Sequence, residues 1–370
     1  MSALPPSLVL PSETRIVAPR DLAVAGELAN RIVAMVEDRE GYAQRYGVDP
    51  GFAFPDANWA REPVGEFIRS YRRVAVCDEE AVGGLRAFSM IFSGYALYEV
   101  RLAHGVTGFS SLEPYTDKVI AERLIEGNGP YVERWSAMTA DIPIDCWFRP
   151  PRRFGDIGHD MRGVIVNHDT VVYQERINLI HSSGLFEWLT RLAARNGGFN
   201  VLEIGGGYGA LAYWFKTAFP HCSYTIVDLP ESLLFSSLYL RLSRPDLAMG
   251  WGVDPVPYGV RFVPNYMAQR LQEPVSLVIN TLSMSEMSRL QVDTYLSLMK
   301  AHWLSGEGFF FEQNQDNRHA GLLCAREIAA EFFPFGRNLG SASTGLLQGS
   351  ANLWGFQPLL PSPQGEPAPR

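Results

Sequence analysis

The segment 201–211, with the sequence VLEIGGGYGAL, constrains the fold of this chain more than any other. Residues 201–204 have strand character, and an amphipathic helix follows the glycines. Gly205, Gly207 and Gly209 allow a tight turn and a close approach of the backbone to a ligand. The following helix offers free N–H groups and the positive end of its dipole. The pattern therefore predicts a ligand-binding turn between a strand and a helix.

Two classes of ligand suit this turn. Dinucleotide-binding proteins use G-x-G-x-x-G or A, a pattern that Gly205, Gly207 and Ala210 satisfy loosely. S-adenosylmethionine-binding proteins use an acidic residue followed by G-x-G-x-G, which Glu203, Gly205, Gly207 and Gly209 satisfy fully. A carboxylate at 203 repels a pyrophosphate and attracts an ammonium or sulfonium group, so it favours the second class. A purely structural turn is the remaining interpretation.

A second motif, 224–231 with the sequence YTIVDLPE, supports a nucleoside ligand. A helix is predicted over 209–219, and a buried strand over 224–227 follows it. Asp228 then lies at the end of this strand, about 20 residues after the glycines, which is the usual interval for a carboxylate that binds ribose hydroxyls. Pro230 and Glu231 begin another helix.

These residues carry a resemblance to a known family. EIGGGYG at 203–209, followed by VDLPE at 227–231, resembles class I S-adenosylmethionine-dependent methyltransferases, and more narrowly sugar O-methyltransferases. NTLSMSEM at 280–287 also resembles the sugar family, and the resemblance covers roughly 165–358. It implies an α/β fold with a seven-stranded Rossmann-like methyltransferase sheet, and S-adenosyl-L-methionine as cofactor. Related small-molecule enzymes place a catalytic histidine after the fourth strand, but 283–286 contains none.

Composition limits the class of partner and the compartment. The 370-residue chain has a net charge of −8 and lacks the broad basic surface that nucleic-acid binding requires. No uncharged apolar run reaches the roughly 18 residues of a membrane span, and no signal peptide is indicated at the start. The 4 cysteines are scattered without metal-binding spacing, which is typical of reduced thiols in the cytoplasm. We expect a cytoplasmic protein with a small-molecule substrate.

The predicted organisation has four parts. Residues 1–140 form a mainly helical N-terminal domain, 141–169 a polar linker or lid, 170–358 the cofactor-binding domain and 359–370 a disordered tail. The N-terminal helices are expected over 21–38, 66–76, 85–102, 116–126 and 131–140. The N-terminal domain shows no chemistry of its own, and its aromatic residues suit a core or a homodimer interface better than a ligand cage.

The predicted cofactor-binding residues extend beyond the two motifs. Tyr173 and Arg176 share a helix face, where Arg176 would pair with the methionyl carboxylate; a packed Tyr and a surface Arg are the structural alternative. Asn265 would bond the adenine amine, and Tyr266 or Met267 would pack on the ring. The full predicted set is Tyr173, Arg176, Glu203, Gly205, Gly207, Gly209, Asp228, Leu229, Asn265, Tyr266 and Asn280.

A hydroxyl acceptor requires a base, because it is too weak an acid to ionise at neutral pH. Glu286 has the best position, after the fourth strand, and its structural alternative is a carboxylate satisfied by backbone N–H groups at a helix start. His181, His168, His159 and His319 are further candidates, with His181 equally suited to stabilise a helix end. No compact set of metal ligands is evident, so we predict no metal.

The leading hypothesis is an S-adenosylmethionine-dependent O-methyltransferase acting on a sugar or a similar polar metabolite of a natural-product or polysaccharide pathway. The first alternative is an N-methyltransferase acting on an amine or hydrazine-type intermediate. The second is a subunit that binds the cofactor or a nucleotide without catalysis, and an oxidoreductase is the weakest alternative. The pattern does not name the acceptor or the oligomeric state.

Overall fold

The computed structural model describes residues 7–9, 19–56, 59, 69–78, 81–82, 131–151, 158–340 and 349–360. The predicted helices over 85–102 and 116–126 lie outside these residues. Within them, no helix is both long and apolar enough to cross a membrane.

The centre of the fold is a mixed sheet of eight strands with helices against it, which confirms the α/β prediction. Its strand order is β10-β11-β9-β8-β4-β5-β7-β6. In chain order the strands are β4 (Phe199–Ile204), β5 (Cys222–Asp228), β6 (Met249–Trp251), β7 (Val260–Pro264), β8 (Leu277–Thr281), β9 (Phe309–Gln313), β10 (Phe335–Gly340) and β11 (Ala351–Gly355).

The sheet has eight strands and not the predicted seven, and the short edge strand β6 accounts for the difference. It pairs in parallel with β7, and its three residues are only half-buried, so it lacks the apolar run of an interior strand. The strands β4 to β9 run parallel, and β11 is antiparallel to both β9 and β10. The central strands are almost entirely buried on both faces, as parallel strands are, and apolar residues make up most of each strand.

Helices pack on both faces of this sheet, and two apolar cores lie between the layers. The helix Ala210–Ala218 follows β4 directly, and Pro230–Ser243 follows β5 with Pro230 in its first turn. The remaining helices of this region are His168–Ser182, Leu185–Asn196, Arg289–Leu298 and Ala325–Phe332. A π-helical turn, Met299–Trp303, continues Arg289–Leu298, so the hydrogen-bonding register of the helix changes there.

The first long helix packs against the sheet region. It spans Pro19–Tyr46, longer than the predicted 21–38, and contacts Pro230–Ser243. Its apolar residues, among them Ala25, Ala29 and Ile32, belong to the same buried cluster as β4 and β5. A short helix, Pro50–Ala53, follows, then Tyr71–Ala75, and residues 131–139 are helical as predicted. Whether 1–140 is an independent domain stays a prediction.

The region 141–169 contains more regular structure than its prolines and glycines indicate. A 3-10 turn, Ile144–Cys146, precedes an antiparallel hairpin of β2 (Gly158–Met161) and β3 (Val164–Val166). The distant strand β1 (Ser7–Val9) pairs with β2. Arg162 and Gly163 both have positive φ at the hairpin turn, which matches the twist of paired strands. The expectation of an irregular loop is therefore wrong over the hairpin.

Candidate functional site

A cavity opens at the carboxyl ends of β4, β5 and β8. The strand order reverses here, because β5 lies on one side of β4 and β8 on the other, and open α/β sheets bind ligands at such a point. The cavity is lined by Pro55, Asp56, Trp59, Ile204, Gly205, Val227, Asp228, Leu229, Asn265, Ser283, Glu286, Met287, Gln291 and Tyr295. Carboxylates are its only charged groups among the described lining residues, since none of these is Lys, Arg or His.

The glycine turn has the conformation that its sequence demands. Gly205, Gly207 and Gly209 have φ of 73°, 56° and 87°, in the left-handed region that side chains rarely adopt. The neighbours restrict them further, because a Cβ built on Gly205 would lie 2.2 Å from the Ser283 Oγ. A Cβ on Gly209 would meet Leu240 at 3.2 Å. Gly205 lines the cavity, whereas Gly209 packs against the next helix.

Asp228 is half-buried at the end of β5 and lines the cavity. Its Oδ1 accepts a hydrogen bond from the Leu229 N–H at 2.8 Å. Burial raises its pKa to about 7, although this bond and the nearby backbone N–H groups of Gly207 and Gly206 favour the charged form. A carboxylate has about four acceptor positions, so capacity remains for a ligand hydroxyl.

Glu203 lies beneath the glycine turn rather than on the cavity wall. It is buried, and its Oε2 accepts a hydrogen bond from the Tyr224 Oη at 2.8 Å. Burial raises its pKa to about 7, the Tyr224 bond and the Arg176 charge oppose that rise, and the nearby Asp228 charge adds to it. Glu203 therefore does not line the cavity, and its carboxyl lies close to that of Asp228.

Tyr173 and Arg176 adjoin the opposite side of the turn. Arg176 is only 2% exposed, so the surface alternative is wrong for it. Its Nε donates to the Gln313 Oε1 at 3.2 Å, and its Cζ lies 4.8 Å from the centre of the Tyr173 ring. The Tyr173 ring is in turn 5.6 Å from that of Tyr208 in the glycine turn. Both predicted residues are thus adjacent to the turn, although neither lines the cavity.

Asn265 presents an unsatisfied acceptor at the cavity. Its Nδ2 donates to the carbonyl oxygens of Phe52 at 2.6 Å and Ala53 at 3.3 Å. Its Oδ1 is buried and has no hydrogen-bond partner among the residues that the structure describes, which is costly unless a ligand donor reaches it. An exocyclic amine of adenine is such a donor.

Tyr266 is corrected from a ring-stacking residue to a core residue. It is 1% exposed, its Oη donates to the Met35 carbonyl oxygen at 2.9 Å, and its ring lies 5.1 Å from that of Tyr42. It does not line the cavity, and its side chain packs instead against the helix Pro19–Tyr46.

Asn280 is also corrected, to a structural crosslink. Its Nδ2 donates to the Ile204 carbonyl oxygen at 2.9 Å and to the Ser283 Oγ at 2.5 Å. Its Oδ1 accepts from the Met284 N–H at 3.2 Å and the Asn314 Nδ2 at 2.9 Å. These four bonds use the whole capacity of the amide. Asn280 therefore ties the ends of β4, β8 and β9 together and has no bond left for a cofactor.

Glu286 is the predicted base that the structure places in the cavity wall. It ends the 3-10 turn Ser283–Glu286 and is half-buried. Burial is the sole cause that raises its pKa to about 7, with no contribution from a hydrogen bond. Within the described part of the chain, no backbone N–H group satisfies this carboxylate, so the helix-start alternative is not seen there. A group with this pKa exchanges a proton near neutral pH.

The histidine candidates with described side chains lie elsewhere. His181 is in the last turn of His168–Ser182, with its ring 6.0 Å from that of Phe186, which fits the helix-end alternative. His159 is buried in the β2–β3 hairpin, where burial lowers its pKa. His319 is exposed, with its Nδ1 3.2 Å from the Asp316 carbonyl oxygen. His168 begins its helix, and its side chain lies outside the described part.

Sequence reasoning missed one wall of the cavity. Pro55, Asp56 and Trp59 belong to the N-terminal part of the chain, in which the sequence pattern indicates no chemistry. Gln291 and Tyr295, which follow Glu286 in the chain, were also missed, although they are four residues apart in one helix and therefore share a face. The spacing of Gln291 and Tyr295 is a signal that the sequence contains. The approach of the N-terminal segment to the cavity depends on long-range contacts, which no local sequence pattern shows.

No cluster of three or more His, Cys, Asp or Glu side chains suitable for a metal occurs among the residues that the structure describes. Glu312, which the sequence places near the same edge, has both carboxylate oxygens bonded, to the Nδ2 groups of Asn314 and Asn352 at 2.9 Å each.

No protein-family model matches the chain, and no curated protein matches it. Solved structures with some similarity include the bifunctional kinase-methyltransferase WbdD, 14% identical over 61% of this chain and 47% of that chain, with a TM-score of 0.36. Another is magnesium protoporphyrin IX methyltransferase (ChlM) from Synechocystis PCC 6803, crystallised with bound SAM, 12% identical over 63% of this chain and 93% of that chain, with a TM-score of 0.32.

A third similar structure is the cyclopropane synthase MmaA2 from Mycobacterium tuberculosis, 11% identical over 41% of this chain and 63% of that chain, with a TM-score of 0.27. The match to WbdD spans less than half the length of that protein. Similarity at this level assigns neither an activity nor an acceptor to this chain.

Proposed function

We propose that the protein is an S-adenosylmethionine-dependent methyltransferase acting on a hydroxyl group of a sugar or a similar polar metabolite. One observation carries the proposal: a single cavity at the sheet's reversal point brings together Asp228, the unpartnered Oδ1 of Asn265 and the carboxyl of Glu286. These three groups match ribose hydroxyls, the adenine amine and a reacting hydroxyl in turn.

The charge of the site selects between the two ligand classes of the glycine motif. The described cavity lining carries carboxylates and no basic side chain, and Glu203 adds another carboxylate beneath the turn. A pyrophosphate would meet repulsion there, whereas a sulfonium and an ammonium would meet attraction. Arg176, which lies beyond the turn beside Tyr173, is the residue that we expect to attract the methionyl carboxylate.

S-adenosylmethionine supplies an electrophilic methyl group when it is bound. The residues of this chain bind and orient the reactants, exclude water and move one proton. Asp228 and Asn265 would hold the adenosine part, and Glu286 would accept the acceptor's hydroxyl proton as the oxygen reacts. Ionised Glu286 is the active form for this step, so its pKa of about 7 keeps much of it available at neutral pH.

The proposal is tested by binding and by transfer. Isothermal titration calorimetry should show binding of S-adenosylhomocysteine and no binding of NAD. Turnover is then followed as S-adenosylhomocysteine release across a panel of sugars and other polyols. Binding of NAD in preference to S-adenosylhomocysteine would contradict the cofactor assignment.

An amine acceptor is the second candidate, and the acidic lining is the specific observation that favours it. An ammonium would be attracted by Asp56 and Glu286, both on the cavity wall, and must lose a proton before its nitrogen can be methylated. Matched alcohol and amine acceptors distinguish the two candidates, because the amine reaction depends far less on a base at position 286.

A further inference from the structure

The N-terminal strap, defined here as residues 49–56, is held against the cavity by the cavity's own residues. Asp49 caps its short helix by accepting a hydrogen bond from the Gly51 N–H at 2.7 Å. Asn265 donates to the Phe52 and Ala53 carbonyl oxygens, and the Gln291 Nε2 donates to the Phe54 carbonyl oxygen at 3.3 Å. Two residues that line the cavity, Asn265 and Gln291, therefore also hold the strap.

Aromatic packing adds to these hydrogen bonds. The ring of Phe52, which is 1% exposed, lies 5.0 Å from that of Tyr295, another lining residue. Pro55 and Asp56 at the end of the strap then form part of the cavity wall themselves. The position of the strap and the shape of the cavity are consequently set by the same contacts.

Arg39 connects the strap to the opposite wall. This residue of the helix Pro19–Tyr46 is 3% exposed, and its Nη2 lies 2.5 Å from the Glu231 Oε2. Glu231 is in the first turn of the helix that begins two residues after Asp228. The Arg39 Cζ also lies 5.3 Å from the centre of the Phe54 ring in the strap. One guanidinium thus contacts both the strap and the segment that carries the proposed ribose-binding carboxylate.

We propose that Arg39 is a positioning residue that keeps the strap docked, and that strap docking and cofactor binding are coupled. The proposal rests on the proposed function for the identity of the ligand and adds how that site is assembled. A cavity that is complete only when the strap is docked binds with an apparent affinity reduced by the docked fraction. Loosening the strap should therefore raise Kd and KM for the cofactor and leave kcat at saturating cofactor unchanged, because Arg39 contacts no reacting group.

The experiment compares two strap variants with a matched control. Arg39→Ala should weaken binding of S-adenosylhomocysteine about tenfold by calorimetry, and Asp49→Ala, which removes an exposed cap, about threefold. Asp49→Ala decides the question if Arg39→Ala does not fold, since a buried ion pair is lost in the latter. Arg289→Ala removes an exposed arginine with ion pairs to Asp293 and Glu331 and should bind as the wild type does.

Hydrogen exchange supplies a readout that a general loss of stability would not reproduce. In the wild type, S-adenosylhomocysteine should slow amide exchange over 49–56, and Arg39→Ala should speed exchange there in the free protein. Wild-type affinity in both strap variants, tighter binding in either, or unchanged exchange over 49–56 would overturn the coupling. If the wild type does not bind S-adenosylhomocysteine, the proposed function fails. If the wild type binds it but the strap variants bind equally well, only the coupling fails.

Discussion

The cavity has two walls of different origin. The strand-end wall, made by Gly205, Asp228 and Glu286, comes from segments that directly follow β4, β5 and β8. The strap wall is made by Pro55 and Asp56 of the strap and by Trp59, which follows the strap. These residues are more than 200 positions away in the chain from Asn265, which binds the strap at Phe52. The strand-end wall carries the groups suited to chemistry, and the strap wall encloses them. Substitutions should therefore affect rate and affinity differently on the two sides.

The largest effect is expected at Glu286 on the strand-end wall. Glu286→Gln should lower kcat about 100- to 1000-fold, because the hydroxyl proton loses its acceptor. Affinity for S-adenosylhomocysteine, measured by calorimetry, should stay near the wild-type value. Unchanged turnover would remove the base role and favour an amine acceptor.

A second strand-end variant tests cofactor binding. Asp228→Ala should weaken binding of S-adenosylhomocysteine about 10- to 100-fold, since hydrogen bonds between a carboxylate and ribose hydroxyls are worth roughly 1.5–3 kcal/mol. Asp246→Ala, at an exposed carboxylate paired with Arg244, is the matched control and should bind normally. Normal binding by Asp228→Ala would show that the nucleoside binds elsewhere. The strand-end wall would then not be the wall that recognises the cofactor.

Protonation of the strand-end wall should be visible in binding. Burial raises the pKa of Glu203, Asp228 and Glu286 to about 7 each. The folded state then holds more protons than the unfolded state between about pH 4.5 and 7, so the free protein should lose stability as pH rises through that window. A cationic cofactor prefers the ionised carboxylates. Affinity for S-adenosylmethionine should therefore rise about tenfold from pH 5.5 to 8.

Two measurements check this pH dependence. Calorimetry in buffers of different ionisation enthalpy should show proton release when S-adenosylmethionine binds. Thermal unfolding of the free protein should give a lower Tm at pH 8 than at pH 5.5. An affinity for S-adenosylmethionine that does not change with pH would show that the charge of these carboxyl groups does not affect cofactor binding.

The smallest effect is expected on the strap wall. Trp59→Ala should weaken binding of S-adenosylhomocysteine about fivefold, because part of the apolar enclosure is lost while every polar partner stays. The value is compared by calorimetry with that of Asp228→Ala. A larger loss at Trp59 than at Asp228 would reverse the assignment of polar recognition to the strand-end wall.

The same contrast explains what the sequence predicted. The turn 205–209 and Asp228 are specified by residues close to one another in the chain, and an α/β fold with helices after β4 and β5 follows from them. Asn280 and Tyr266 were misassigned because their positions near the carboxyl ends of strands are correct but their partners are not local. Asn280 bonds to Ile204 and Asn314, and Tyr266 to Met35, and no spacing rule reveals these contacts.

The edge strand β6 escaped prediction for a related reason. Its three half-buried residues carry too little pattern to separate a strand from a loop, and pairing with β7 decides the outcome. The hairpin β2–β3 was missed because Gly158 and Gly163 were interpreted as breaks, although Gly163 is the residue that allows the turn between the strands. Tertiary pairing overrides local composition in both cases.

The contact between Gly205 and Ser283 has a genetic consequence. Because a methyl group at 205 would overlap the hydroxymethyl group at 283, alanine at 205 harms the protein even before any ligand arrives. Shortening the opposing side chain, as in Ser283→Gly, relieves the overlap and leaves the cost of the positive φ together with the loss of the hydrogen bonds that the Ser283 Oγ makes with Asn280 and Ile204. A screen for intragenic suppressors of Gly205→Ala should accordingly recover changes at position 283, which lies in a different loop, 283 − 205 = 78 positions downstream.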